Sequence, residues 1–149
     1  MDLNRLLFSN TLSGGARWVP TILRWFAGIV LVAVSLSKFT RHQDLVDAFI
    51  RYGIPLPEAS VYLAGTIELF GGILLLLGLL SRAAALALVG NMTVAVLTGG
   101  RIDPDFQHLW LGLMLLVSVL VILIVGPGNV AIDNRWAPAT TVEPSDGED

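Results

Sequence analysis

Residues 59–98 read ASVYLAGTIELFGGILLLLGLLSRAAALALVGNMTVAVLT, and in them only Glu68 and Arg82 carry a charge. A helix crosses the hydrocarbon of a bilayer with about 20 mainly apolar residues. The stretch therefore divides into two spans, about Ala59 to Leu79 and Arg82 to Thr98 by that length rule. Only Leu80 and Ser81 remain between them. So short a connection forces an antiparallel hairpin. Counting back from the turn at about 1.5 Å per residue, Glu68 lies roughly 19 Å deep and Asn91 roughly 15 Å deep. Both fall near mid-membrane, at a depth where they could meet.

Upstream, a span from Trp18 to about Phe39 is expected, with Arg24 and Lys38 near its two ends, where long cationic side chains snorkel to the interface. Downstream, about Phe106 to Val125 is almost wholly aliphatic after His108 and Trp110, and Gly126-Pro127-Gly128 terminates it. Between the first and second spans lies TRHQDLVDAFIRYGIPLPE. There Leu45, Ala48, Phe49 and Tyr52 share one helical face and Gln43, Asp47 and Arg51 the other, the pattern of a short amphipathic helix in the interface or on a surface. Thr40 and Gln43 have the spacing of a capping box, and Gly53, Pro55 and Pro57 turn the chain into the next span.

The expected fold class is thus an all-α integral membrane protein, a bundle of four transmembrane helices with a short interfacial amphipathic helix between the first and second. Composition agrees: 54% of the 149 residues are hydrophobic and 14% charged, with a mean hydropathy of +0.74. A soluble globular domain is excluded on those figures. The expected division is a lead at residues 1–17, a membrane domain at 18–133 and an acidic, disordered tail at 134–149. The lead lacks the basic, apolar and small-residue succession of a cleavable signal, so the first span is expected to stay as an anchor. With the ends on one side, that side holds Arg5, Arg17, Arg24, Arg82 and Arg135, against Lys38, Arg41, Arg51 and Arg101 opposite. The bias places both termini in the cytoplasm.

There is no cysteine, which excludes disulfides, thiolate metal sites and iron–sulfur ligation by this chain. No nucleotide-binding loop, metal-ligand spacing, nucleophile elbow or nucleic-acid patch occurs. Its two histidines, His42 and His108, allow a bis-histidine haem on paper without a supporting pattern. Glu68 is the most informative residue, because a bilayer-core carboxylate costs several kcal/mol unless protonated, paired or hydrated. Gly65 and Gly72 flank it on its own face, a small-residue seam that admits a neighbouring helix. Lys38, on one face with Gly28 and Ser35, is its candidate counter-ion. Asn91 shares a stripe with Ala84, Ala87, Ala95 and Thr98 and can act as interhelical glue. His108, near Arg101, Asp103 and Asp105, can relay protons or simply be solvated. For Glu68 itself, the structural alternative is a neutral side chain that fixes helix register.

Four elements in order carry a resemblance: Ser35-Leu36-Ser37-Lys38-Phe39, then Gly53-Ile54-Pro55, then Glu68-Leu69-Phe70-Gly71-Gly72 with Gly78, and finally Gly126-Pro127-Gly128 with Asp133. Together they resemble the DoxX family of small four-helix bacterial membrane proteins, over roughly Arg24 to Asp133. That resemblance implies a cell-membrane location and links to membrane-bound oxidoreductase or oxidative-stress assemblies. Its members include the membrane subunit of a thiosulfate:quinone oxidoreductase. Lys38, Glu68, Gly71, Gly72 and Asp133 match the shared pattern by position.

The leading expectation is a subunit of a quinone-linked oxidoreductase system in the bacterial inner membrane. Glu68 and Lys38 are its candidate catalytic residues, and Gly65, Glu68, Gly72, Asn91 and His108 its candidate quinone-binding residues, with no metal. The expected partners are the lipid bilayer, further copies of the chain and other membrane or redox proteins, with no nucleic acid. Two rivals from other classes are a non-catalytic membrane scaffold and a small proton-coupled transporter.

Overall fold

The computed structural model of the chain describes Gly15, residues 18–104 and residues 106–135, with backbone alone at 106–108. The lead and the acidic tail expected at the two ends lie almost wholly outside the described residues. Everything described is helix, turn or loop. The helices are α1 (Trp18–Thr40), α2 (His42–Arg51), α3 (Pro57–Leu77), α4 (Ser81–Ile102) and α5 (Gly112–Val125), the last continued backwards by a wide π-helical turn at Phe106–Leu111. A 3-10 turn at Ile132–Arg135 follows. Three helices, α1, α3 and α4, are long and apolar enough to cross a membrane, and Leu109–Val125 is a shorter apolar helix.

Hydrophobic side chains cover both sides of these helices. Ala27, Leu31, Leu75, Leu88, Val119 and Ile122 are wholly buried, whereas Ile22, Ile29, Leu63, Leu97 and Ile124 are each more than half exposed. Helices apolar on all faces belong in lipid, where the outward residues meet hydrocarbon. Without a hydrophobic force between them, such helices associate by close packing. The seam on α3 supplies it. A Cβ on Gly72 would stand 3.0 Å from Val32 and 3.1 Å from the Gly28 carbonyl oxygen, so α1 crosses α3 almost backbone to backbone. Gly71 points to the other side, where a Cβ would meet Leu88 of α4 at 2.9 Å. The Gly71-Gly72 pair thus seats α3 against two helices at once.

At the α3–α4 turn, Gly78 (φ 66°) and Leu80 (φ 48°) both lie in the left-handed region. The C-terminal loop closes over this turn. Asp133 accepts the backbone N–H groups of Leu80 (2.7 Å) and Ser81 (2.8 Å), and its own N–H donates to the Gly78 carbonyl (2.9 Å). Arg24 donates to the carbonyls of Pro127, at 3.1 Å, and Val130. Thr21 Oγ1 accepts the N–H of Asn129 (2.9 Å), and Asn134 Nδ2 donates to the Gly128 and Asn129 carbonyls.

Arg24 therefore departs from expectation: it is fully buried rather than snorkelling. Carbonyls released where Gly126 and Pro127 end α5 need donors, and a guanidinium fork supplies several at once. The Thr40–Gln43 capping box is likewise absent. Thr40 Oγ1 donates back to Leu36 and Ser37 of α1, and Arg41, without a capping side-chain bond, precedes α2. Ala87, expected on the inner stripe of α4, is exposed.

A Cβ on Gly78 would stand 2.7 Å from Ala131 Cα, in a backbone conformation that L side chains avoid. Gly78→Ala is expected to destabilise the chain by about 2 kcal/mol or more. Thermal unfolding in detergent checks this, with Gly90→Ala as an unstrained control, since nothing lies within 4 Å of that position.

Candidate functional site

Glu68 stands on the face of α3 between Gly65 and Gly72, one turn from each. Because Gly65 has no side chain, the Lys38 stem and the Phe39 ring lie against α3; a Cβ there would stand 3.3 Å from Lys38 Cβ and 3.2 Å from Phe39 Cζ. That closeness brings the ammonium to the carboxylate. Lys38 Nζ donates to Glu68 Oε2 at 2.6 Å, with the two side chains only 12% and 4% exposed. From α4, Asn91 Nδ2 donates to the other oxygen, Oε1, at 2.9 Å. One carboxylate thus ties three helices together.

The desolvation cost of such a pair is large, and the attraction offsets it only when further hydrogen bonds complete the carboxylate. Asn91 provides one. Donor capacity remains in the cluster. Lys38 has three N–H donors and Asn91 two, of which Glu68 takes one each.

The cluster forms part of the wall of a cavity of about 370 Å³. Its other walls are mainly apolar: Leu31 and Val34 from α1, Ile67 from α3, Met92 from α4 and Leu115 from α5. Leu45 and Phe49 of α2, with Tyr52 just after it, also line the cavity. Tyr52 holds α2 there by donating from its hydroxyl to Asp103 Oδ2 at 2.8 Å, and Arg51 Nη2 lies 3.7 Å from the same oxygen. Cavities of about 300–1,000 Å³ with apolar walls and few convergent polar groups are typical small-molecule sites. Among the described residues no group of histidines and acids is arranged to hold a metal ion.

Of the residues singled out from sequence, Lys38, Gly65, Glu68 and Asn91 meet in this one place. Gly72 belongs to the α1–α3 crossing one turn away. The His108 side chain lies outside the described residues. His42 stacks on Tyr62, with ring centroids 4.1 Å apart. Asp133 is at the α3–α4 turn and is not a wall residue. Tyr52, Phe49 and Leu45 join the cavity unannounced by any chemical motif; only their shared amphipathic face pointed inward. The Tyr52–Asp103 bond spans 51 positions of sequence, and no local pattern signals it.

A quinone headgroup fits these residues chemically. Donors at Lys38 and Asn91 match its carbonyl oxygens, Glu68 is an acceptor for the hydroxyls of its reduced form, and the apolar walls match its ring.

Helical throughout its regular described structure, with apolar outer faces and a largely buried ion pair among its helices, the chain is a small helical membrane protein with a polar site inside it. It belongs to the DoxX family, whose model matches residues 19–101. It is 32% identical over 133 residues to the "Uncharacterized membrane protein Rv3486" of Mycobacterium tuberculosis, covering 80% of this chain and 82% of that protein. It is 24% identical over 131 residues to the "Inner membrane protein YphA" of Escherichia coli, covering 82% and 94%. To the "Putative oxidoreductase CatD" of Bacillus subtilis it is 27% identical over 112 residues, covering 75% and 82%. No solved structure matches the chain.

Proposed function

We propose that this chain is an inner-membrane subunit or accessory of a quinone-linked oxidoreductase system, and that the cavity beside Glu68 receives the quinone headgroup. The carrying observation is the Lys38–Glu68–Asn91 cluster in the wall of an apolar cavity within the spans. The name of the CatD relative is consistent with a redox setting, and a chain without cysteine would leave electron supply to a partner protein. In this reading the fourth apolar segment also crosses the membrane. The π-turn and α5 together run from Phe106 to Val125, about 30 Å at helical rise, which matches the hydrocarbon thickness. The reading keeps α2 as an amphipathic helix at the interface and both termini in the cytoplasm.

The quinone supplies two-electron chemistry, taking up two protons as it is reduced. This chain's part is to hold the headgroup and handle a proton. Lys38 and Asn91 would hold the carbonyl oxygens with their remaining N–H donors. Glu68 would release one proton to the oxygen beside it on reduction and take one back on oxidation, with Lys38 stabilising the carboxylate left after release.

The test is reconstitution in nanodiscs containing ubiquinone or menaquinone, then repurification and organic extraction. Wild-type protein is expected to retain quinone near stoichiometry. Glu68→Gln keeps the shape but not the charge, and is expected to weaken retention about tenfold, or about 1.4 kcal/mol. Unchanged retention in Glu68→Gln would overturn the mechanism. A second reading has its own observation, that both Glu68 oxygens are already hydrogen-bonded within the protein. Such satisfaction suits a scaffold in which Glu68 fixes helix register. Loss of stability or assembly in Glu68→Gln, with no quinone retained by the wild type, would favour it.

A further inference from the structure

Gly90, Leu63 and Val94 share a property that the deeper wall residues lack. They line the cavity and are also exposed, Leu63 at 61% and Val94 at 52%. Gly90 adjoins Asn91 in sequence, and a Cβ there would meet nothing within 4 Å. Nearer the α3–α4 turn the same two helices touch tightly, Gly71 against Leu88. Leu63 on α3 and Gly90 and Val94 on α4 are thus exposed where these two helices border the cavity, beside the Glu68–Asn91 bond that joins them.

Size limits what the cavity can enclose. About 370 Å³ is near the lower end of the 300–1,000 Å³ of ordinary ligand sites. It takes a ring or a comparable headgroup, and a long hydrocarbon tail does not fit with it. A molecule carrying such a tail must leave it outside the protein, and lipid is the only favourable place for it.

We infer that the cavity is loaded sideways from the bilayer, through a portal between α3 and α4 bounded by Leu63, Gly90 and Val94. Its ligand is a membrane-dissolved amphiphile whose polar headgroup reaches the Lys38–Glu68–Asn91 cluster while its tail stays in the hydrocarbon. Gly90 is the specificity-determining position: the missing side chain is the opening. The identity of that amphiphile as a quinone rests on the reading above; the portal does not.

The absence of native cysteine makes the test clean. Ser37→Cys places a single thiol on the α1 wall of the cavity, close in shape to the residue it replaces. Reconstituted in vesicles, it is reacted either with a long-chain alkyl maleimide dissolved in the membrane or with a sulfonated maleimide confined to water. Access governs thiol labelling, so the membrane-borne reagent is expected to react at least about tenfold faster. Gly90→Leu in the same background should slow the membrane-borne reagent by about that factor and leave the other unchanged. Gly90→Ala, which meets no neighbour, should preserve fast labelling. Leu63→Trp plugs the opening from α3 and serves if Gly90→Leu fails to fold. Equal rates for the two reagents, or no slowing in either plugged variant, would overturn the portal. Added long-tailed quinone separates the two readings. Protection of the thiol supports both, whereas fast membrane-borne labelling that quinone does not slow leaves the portal standing and sinks the quinone.

Discussion

Lys38→Met is expected to destabilise the folded chain by about 3–5 kcal/mol, the usual cost of removing one partner from a buried ion pair. The variant keeps most of the stem that packs on Gly65 and deletes the ammonium. Glu68, only 3% exposed, is left with Asn91 as its sole described partner. Glu68→Gln alone should cost less, because an amide is neutral and can still accept from Asn91 or Lys38. The double variant Lys38→Met/Glu68→Gln should recover a substantial part of the Lys38→Met loss, since no charge then remains unpaired. A double-mutant cycle on unfolding in detergent measures this coupling. Additive losses would mean that the two groups do not act as a pair, whatever their separation.

Asp133→Ala carries the second large effect, and it acts at the other cluster. The carboxylate holds two backbone N–H groups at the start of α4, and hydrogen bonds to charged groups contribute about 1.5–3 kcal/mol each. Removing it orphans Leu80 N–H and Ser81 N–H together, one of them on a residue at φ 48°. A loss of about 3–5 kcal/mol is expected. Asp133→Asn keeps one acceptor oxygen and turns an N–H₂ toward the other N–H, so it should fall between wild type and Asp133→Ala. Measured unfolding should follow that order, and hydrogen exchange at Leu80 and Ser81 should rise in the same sequence. Equal losses in the two variants would show that the second N–H contributes nothing.

These two clusters differ in how much of them was legible in the sequence. A carboxylate in an apolar run cannot stand alone in lipid, so Glu68 announces that a partner exists. Depth matching across a two-residue turn then narrows the partner on α4 to Asn91. Those are arguments from helical rise and desolvation, which hold before any tertiary contact is known. Lys38 was harder, because a lysine near a helix end has water within reach of its long stem. What turns it inward is Gly65, through a crossing of α1 and α3 that neither helix specifies by itself.

The loop after α5 shows the opposite case. Gly126-Pro127-Gly128 tells where a helix ends but not what receives the carbonyls it releases. Arg24 does so from more than a hundred residues upstream, and the same residue, read locally, is a snorkelling cation. Asp133 stands out in the sequence only as one position of the DoxX-like pattern, and the fold carries it to a helix N-terminus 52 residues earlier in the chain. The sequence by itself determined that the chain is helical, apolar on its outer faces, hairpinned within a few residues of Leu80, where the structure places the turn at residues 78–80, and obliged to satisfy a carboxylate in an apolar span. Each of these follows from short-range rules, periodicity, length and the cost of charge in hydrocarbon. Only the tertiary structure decided that Lys38 closes the pair, that Arg24 and Asp133 bind the C-terminal loop to the α3–α4 turn, and that a cavity remains beside Glu68. Those features depend on side-chain length and on how closely glycines let particular helices approach, and such distances are set by the packed bundle as a whole.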